Sequence, residues 1–337
     1  MDIDFVIIWV DGSDKKWLQE KNKYQKNSIN IDAEINRYRD WDNLKYWFRG
    51  VEKYAPWVNK IFFVTCGQCP DWLNTKHEKL VMVNHEDYIP SDYLPTFSSH
   101  PIELNLHRIK GLSERFVFFN DDTFITGKSL PTDFFSSDGL PCDLFVEEPP
   151  TFVKKDVFNN IIINNLILIN SKFDRQEVLN KNKKKMYSTV NKKAYIKNKT
   201  FSLMKRHEFF GIEFSHLPQP FLKSMFDEVW SENYDVLDEV CKNKFRSIDD
   251  VNQYVVKYYQ LLKGKFEPYN WKRKGIAFQL DDIYDNNIEE ACKCIASDDY
   301  NLVCLNDSKI KNFDKTKGII NNIFEKKFSE KSKFEID

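Results

Sequence analysis

The run Asp-Phe-Val-Ile-Ile-Trp-Val at residues 4–10 constrains the fold more than any other segment. Its β-branched and aromatic residues suit a strand buried on both faces, as in a parallel sheet. It leads straight into Asp11-Gly12-Ser13-Asp14, a turn signal. In α/β sheets, ligands bind at polar loops that follow such strands. A chain of 337 residues is long enough to build a large core around it.

The pattern then alternates. Residues 40–54 place Leu44, Trp47, Phe48 and Val51 on one helical face and Asp42, Lys45, Arg49 and Lys53 on the other, and Pro56 ends the helix. Strands are predicted at residues 60–65 and 79–84, then a short helix from Pro101 to Ile109, Gly111, and a fourth strand at 115–120. This alternation predicts an α/β fold with a mostly parallel sheet. Helical patterns at 221–230 and 249–262 predict a more helical second half. Residues 1–150 form the expected core. Residues 151–200 are a Lys/Asn-rich insertion expected to carry mobile loops, 201–310 a helical part completing the site, and 311–337 a charged tail on the surface.

Composition excludes several classes. Lys and Arg nearly balance Asp and Glu, giving a net charge of -1, which argues against a dedicated nucleic-acid binder. The N-terminus lacks a basic region and a small-residue cleavage site, and Asn164 and Asn165 interrupt the apolar stretch 161–169. A soluble, cytoplasmic protein is expected. Cys66 with Cys69 and Cys292 with Cys294 have close spacings but no nearby His partner, so incidental thiols are the better reading than a zinc site.

Two acidic turns follow two apolar strands, Asp11 with Asp14 and Asp121 with Asp122. Carboxylates so placed suit a hard cation bound to a diphosphate, which fits Mg or Mn, although each motif alone is also an ordinary turn. Glu103 and His107 lie one turn apart on the expected short helix, either as a donor-orienting pair or as a structural hydrogen-bond pair. Most of the aromatic residues are core; Trp9 and Trp72 are reserved as candidates for stacking on a base or sugar.

These residues also resemble a known family. Residues 3–14 look like the first conserved region of the Stealth proteins, bacterial capsule phosphotransferases related to the animal lysosomal-enzyme N-acetylglucosamine-1-phosphotransferase. The second region is resembled by Arg37-Tyr-Arg-Asp40, Val51-Glu-Lys-Tyr-Ala-Pro-Trp-Val58, Val64-Thr-Cys-Gly-Gln68, Asn84-His-Glu-Asp87, Leu94-Pro-Thr-Phe97, Leu106-His-Arg-Ile109 and Phe119-Asn-Asp-Asp122. The third is resembled by His216-Leu-Pro218 and Phe245-Arg-Ser-Ile-Asp-Asp250, and the fourth by Cys304-Leu-Asn-Asp307. Lys45, Asn105 and Cys69 depart from the residues that the family, or its animal members, often have there.

The resemblance implies a GT-A-like, Rossmann-related core and an enzyme that moves a hexose-1-phosphate, N-acetylhexosamine-1-phosphate by analogy, from a UDP-sugar to a hydroxyl of an oligosaccharide or polysaccharide acceptor, releasing UMP. On that reading Asp121 and Asp122 hold the metal. Arg39, Arg108 and Arg246 grip phosphates. His216 takes the acceptor proton, with Asp11 as the next candidate base. Trp9, Gly12, Asp14, Glu103, His107, Asn306 and Asp307 contact substrate or brace its loops. The Lys-rich tail is the segment that could meet the inner face of a membrane. Two other readings compete: a metal-dependent glycosyltransferase releasing UDP, and a non-catalytic polysaccharide-binding module.

Overall fold

The computed structural model of the protein describes residues 1–25, 31–32, 37–152, 156–280, 285–308 and 310–336. Residues 153–155 of the expected insertion and 337 of the expected tail lie outside them.

The core is a five-stranded sheet. Its strands are Asp4–Ile8 (β1), Ile61–Thr65 (β2), Leu80–Asn84 (β3), Arg115–Phe119 (β4) and, after the three-residue strand Thr123–Ile125 (β5), Gln219–Leu222 (β6). Their order is β3-β2-β1-β4-β6. The first four are parallel and β6 is antiparallel to β4. Strand order reverses between β1 and β4, the switch point at which open α/β sheets bind ligands. The four strands read from sequence are present, each one or two residues shorter than expected. Phe5, Val6, Ile7 and residues 116–119 are almost fully buried, as strands covered on both faces require.

A second sheet of Gly275–Leu280 (β7), Leu302–Asp307 (β8) and β5 brings the late part of the chain beside the loop that follows β4. The register pairs Cys304 with Thr123, so β8 carries Asn306 and Asp307 toward Asp122, and the Leu305 N–H donates to the Asp122 carbonyl.

The longer elements around the sheets include the helices Lys15–Gln25 (α1), Leu44–Tyr54 (α2), Ser99–Leu104 (α3), Val157–Asn170 (α4), Lys192–Ser202 (α5), Lys223–Glu232 (α6), Tyr254–Leu262 (α7) and Phe313–Lys327 (α8). The apolar face of α2 packs as expected: Trp47, Phe48 and Val51 are buried, each such side chain contributing about 1.5–3 kcal/mol. Arg49, expected on the polar face, is buried and holds Glu335 through two hydrogen bonds of 2.8 and 2.7 Å.

Several expectations are corrected. Residues 221–230 are not one helix, because the chain first forms β6, with Phe221 buried in the sheet, and turns helical at Lys223. The helix expected at 249–262 begins at Tyr254. The segment 151–200 holds helices where mobile loops are expected, with Ile161, Ile162 and Ile169 buried. The charged C-terminal stretch does not lie over the surface. Its helix α8 buries Ile320 and Phe324, and Phe328 and Phe334 follow into the core, Phe324 stacking on Tyr46 at 5.3 Å. The Lys-rich face of that helix hides an apolar stripe of four-residue spacing, and the stripe decides its position.

Candidate active site

A cleft of about 1080 Å³ opens at the carboxyl ends of β1 and β4. It is lined by Trp9 from the β1 end, Arg39 and Asp40, Glu103 from α3, Asn120, Asp121 and Asp122 after β4, His216, Arg246, and Asn306 with Asp307 from β8. Nine of the residues singled out from sequence, separated by up to about three hundred positions in the chain, therefore share one wall-to-wall space.

Acids dominate its floor. Asp121 is exposed to the cleft, and the protein wall that crowds its carboxyl, together with Asp122, Asp40 and Asp307, pushes it up to about 8. Burial likewise raises Asp40, with Asp42 and Asp11 adding repulsion. Asp122 Oδ1 is buried with no hydrogen-bond partner among the described residues. A carboxylate oxygen left in that state costs free energy unless a cation or proton meets it. Crowded carboxylates and an orphaned buried oxygen both fit a divalent cation.

His216 stands opposite. Its Nε2 is 3.4 Å from Asp122 Oδ2 and 3.2 Å from Asn120 Nδ2. The Tyr254 hydroxyl donates to the Ser215 carbonyl at 3.0 Å, so the backbone beside His216 is fixed by α7. Cys304 Sγ lies close to Asp122 and His216, the three offering ligand atoms within 4.8 Å of one another. Burial and the neighbouring Asp122 push that thiol well above its ordinary range. The motif that begins at Cys304 carries no sign of this contact, since its closeness to Asp122 depends on the β8–β5 pairing.

The arginines differ from one another. Arg39 is already occupied: its guanidinium donates to both Asp307 oxygens at 2.5 Å, and to the Ser308 carbonyl, while lying 4.3 Å from the Phe313 ring. Trp41 Nε1 also donates to Asp307, at 3.2 Å. Asp307 thus braces Arg39 in the cleft wall. Arg246 is held by the Ser99 hydroxyl at 2.8 Å and lines the cleft. Arg108 is not brought to the cleft; it lies over the Trp230 ring at 4.9 Å.

The expected pairing of Glu103 with His107 fails for a local reason. α3 stops at Leu104, and Leu106–Arg108 is a separate 3₁₀ turn, so the two residues do not share a face. His107 is buried against Phe226 at 5.7 Å, and burial pushes its imidazole down to about 3. Asp14 is placed as the cap of α1, its Oδ1 accepting the Trp17 N–H at 2.7 Å. Asp11 holds the same turn through Ser13. Gly12 lies beneath the 37–40 segment, where a Cβ would come within 1.8 Å of the Tyr38 carbonyl oxygen. None of Asp11, Gly12 and Asp14 lines the cleft, although all three shape the β1 end of it. Trp9 lines it, stacked on Phe63 at 5.8 Å, whereas Trp72 packs on Phe48 in the core.

The cleft also holds residues that no sequence motif points to, His100 among them. His100 at the start of α3 is 2% exposed, lines the cleft, and bonds through Nδ1 to Asp250 Oδ2 at 2.8 Å. Asp250 also accepts from Asn243 Nδ2 and the Ser247 N–H, which ties His100 to the loop bearing Arg246. The partners are 150 residues apart, so no spacing rule could pair them.

Comparison with known proteins agrees with the motifs of the first and second regions. Residues 1–29 match Stealth protein conserved region 1 and residues 37–143 match conserved region 2. The chain is 40% identical over 337 residues to the capsular polysaccharide phosphotransferase WcwK of Streptococcus pneumoniae, covering 99% of this chain and 98% of that one. It is 42% identical over 313 residues to the receptor polysaccharide phosphotransferase WefC of Streptococcus oralis, covering 90% of each. It is 35% identical over 339 residues to the exopolysaccharide phosphotransferase cps2G of Lactiplantibacillus plantarum, covering 99% and 96%. Among solved structures, the galactosyltransferase LgtC with donor and acceptor sugar analogues aligns over 95% of both chains at 12% identity and a TM-score of 0.36, too low to carry an argument. With this identity along nearly its whole length, the chain belongs to the Stealth family and is a phosphotransferase.

Proposed function

We propose that this enzyme transfers a hexose-1-phosphate, of the N-acetylhexosamine class, from a UDP-sugar to a hydroxyl of a growing capsular or cell-surface polysaccharide, on the cytoplasmic side, leaving UMP. The observation that carries this reading is the cleft at the β1/β4 switch point, lined by Asp121 and Asp122, where Asp122 faces His216 at 3.4 Å. Phosphoryl transfer needs charge neutralisation and alignment more than covalent help from the protein. Asp121 and Asp122 would hold Mg or Mn, which supplies neutralisation of the diphosphate and of departing UMP.

The protein's own residues supply the rest. His216 accepts the proton of the acceptor hydroxyl while the hydroxyl oxygen attacks the phosphorus that carries the C1 oxygen of the sugar. The bond from that phosphorus to the bridging oxygen breaks, and UMP leaves. The bond between sugar C1 and its oxygen is untouched, so the anomeric configuration of the donor is kept. Arg246 binds phosphate oxygens, oriented by Ser99, and His100 faces the same space through Asp250. Arg39 acts through Asp307, placing the β8 end and Asn306 against the donor. Trp9 offers a ring at the β1 end for the base or sugar.

The test is product identity. Purified protein with Mg or Mn, UDP-N-acetylhexosamine and an oligosaccharide acceptor should yield UMP and a phosphodiester signal in phosphorus NMR. UDP as the nucleotide product would mean a glycosyl transfer, and the proposal would be wrong.

A further inference from the structure

The strongest charge asymmetry in the molecule lies away from the cleft floor. Between Glu177 and Glu208 the sequence holds ten Lys or Arg and no Asp or Glu, in a chain whose net charge is -1. Part of this charge is spent internally. Lys185 donates to the Gly264 and Phe266 carbonyls, Lys197 pairs with Glu148 at 2.9 Å, and Lys199 lies over the Tyr187 ring. Lys181, Lys183, Lys184, Lys192, Lys193 and Lys205 are exposed, with no acidic partner within ion-pair distance among the described residues.

The helix that carries Lys192 and Lys193, with the turn that carries Lys205, also presents large apolar side chains. Helix α5 buries Ala194 and Asn198 and turns Lys192, Ile196, Thr200 and Leu203 outward at helical spacing. Ile196 is 62% exposed, Leu203 81% and Met204 48%. A surface meant for water gains nothing from Leu203 standing free, and a soluble polyanion would use the lysines and ignore Ile196 and Leu203. An anionic bilayer uses both: cations meet the lipid phosphates, and apolar side chains enter the boundary between headgroups and acyl chains.

We infer that α5 and the turn after it, Leu203 to Arg206, dock this protein peripherally on an anionic membrane. No helix among the described residues is long and apolar enough to cross a bilayer, so the contact is superficial. The C-terminal stretch, which sequence alone suggested for this role, is committed to the core through Phe324 and Phe328. From Arg206 the chain continues through buried Phe209 to Phe214 and His216 at the cleft, so the docked surface and the site share one segment.

The experiment is sedimentation of the full chain with vesicles of phosphatidylcholine alone, or of equal parts phosphatidylcholine and phosphatidylglycerol. Binding should require phosphatidylglycerol and weaken with added salt. Each cation contributes roughly fivefold to partitioning, so Lys192→Glu with Lys193→Glu should lower it on the order of 25-fold or more. Ile196→Gln with Leu203→Gln should lower it further at high salt, and circular dichroism should be unchanged in both variants. Equal partitioning to both vesicle types overturns the inference. So does binding to soluble polyphosphate as tight as to vesicles together with no effect of Ile196→Gln and Leu203→Gln, which would mark a polyanion site.

Discussion

The ion pair between Arg39 and Asp307 separates two roles for a cleft arginine, and its removal has a magnitude that follows from its surroundings. The two side chains are 15% and 10% exposed, so solvent screens them weakly. Two parallel hydrogen bonds join them, and Trp41 supports Asp307 from a third side. Arg39→Ala leaves the Asp307 carboxylate beside Asp40 and Asp121 with no cation, at a cost of about 3–5 kcal/mol. Asp307→Ala should cost less, about 2–3 kcal/mol, because Arg39 keeps its contact with the Phe313 ring and can turn toward solvent in the cleft. The double variant should lose no more than Arg39→Ala alone, a coupling of about 2 kcal/mol or more. Arg39→Lys should recover little, since an ammonium cannot span two carboxylate oxygens. Urea unfolding followed by tryptophan fluorescence measures all four. The argument is refuted if Arg39→Ala leaves stability within about 0.5 kcal/mol while kcat/KM falls on the order of a thousandfold and Asp307→Ala remains active, for the guanidinium would then serve phosphate directly.

Three further outcomes are expected. His216→Ala should lower kcat for UMP release by about 10²- to 10⁴-fold with unchanged urea unfolding; near-normal turnover would move the base to another residue. His107 is neutral in the fold, held down to about 3, and its unfolded value is near 6.5, so below that pH the unfolded chain binds the additional proton. Its stabilising contribution is complete above pH 6.5 and fades as pH falls toward 3, by about 2 kcal/mol at pH 5, and His107→Phe should flatten that part of the stability profile measured by urea unfolding. Phe324→Ala should cost about 3–5 kcal/mol, because its ring is fully enclosed by Tyr46, Phe124 and Phe328; a loss below about 1 kcal/mol would return α8 to the surface.

The sequence by itself determined the elements whose signal is local. β1 to β4 could be read because each is a short run of apolar residues closed by a turn, and α2 because its apolar residues recur at helical spacing. The acidic strand ends at Asp121 and Asp122 could be read for the same reason, and the family motifs extended that reading to His216, Arg246 and Asp307. Tertiary structure decided what depends on distance across the chain. His100 finds Asp250, Arg39 finds Asp307 and Cys304 approaches Asp122 only once sheet order brings segments 150 or more residues apart into contact. Burial, not composition, decided that α8 belongs to the core, that Arg49 serves Glu335, and that His107 sits among aromatic rings instead of facing Glu103. Periodicity reports which face of an element is apolar; what covers that face is settled by the rest of the fold.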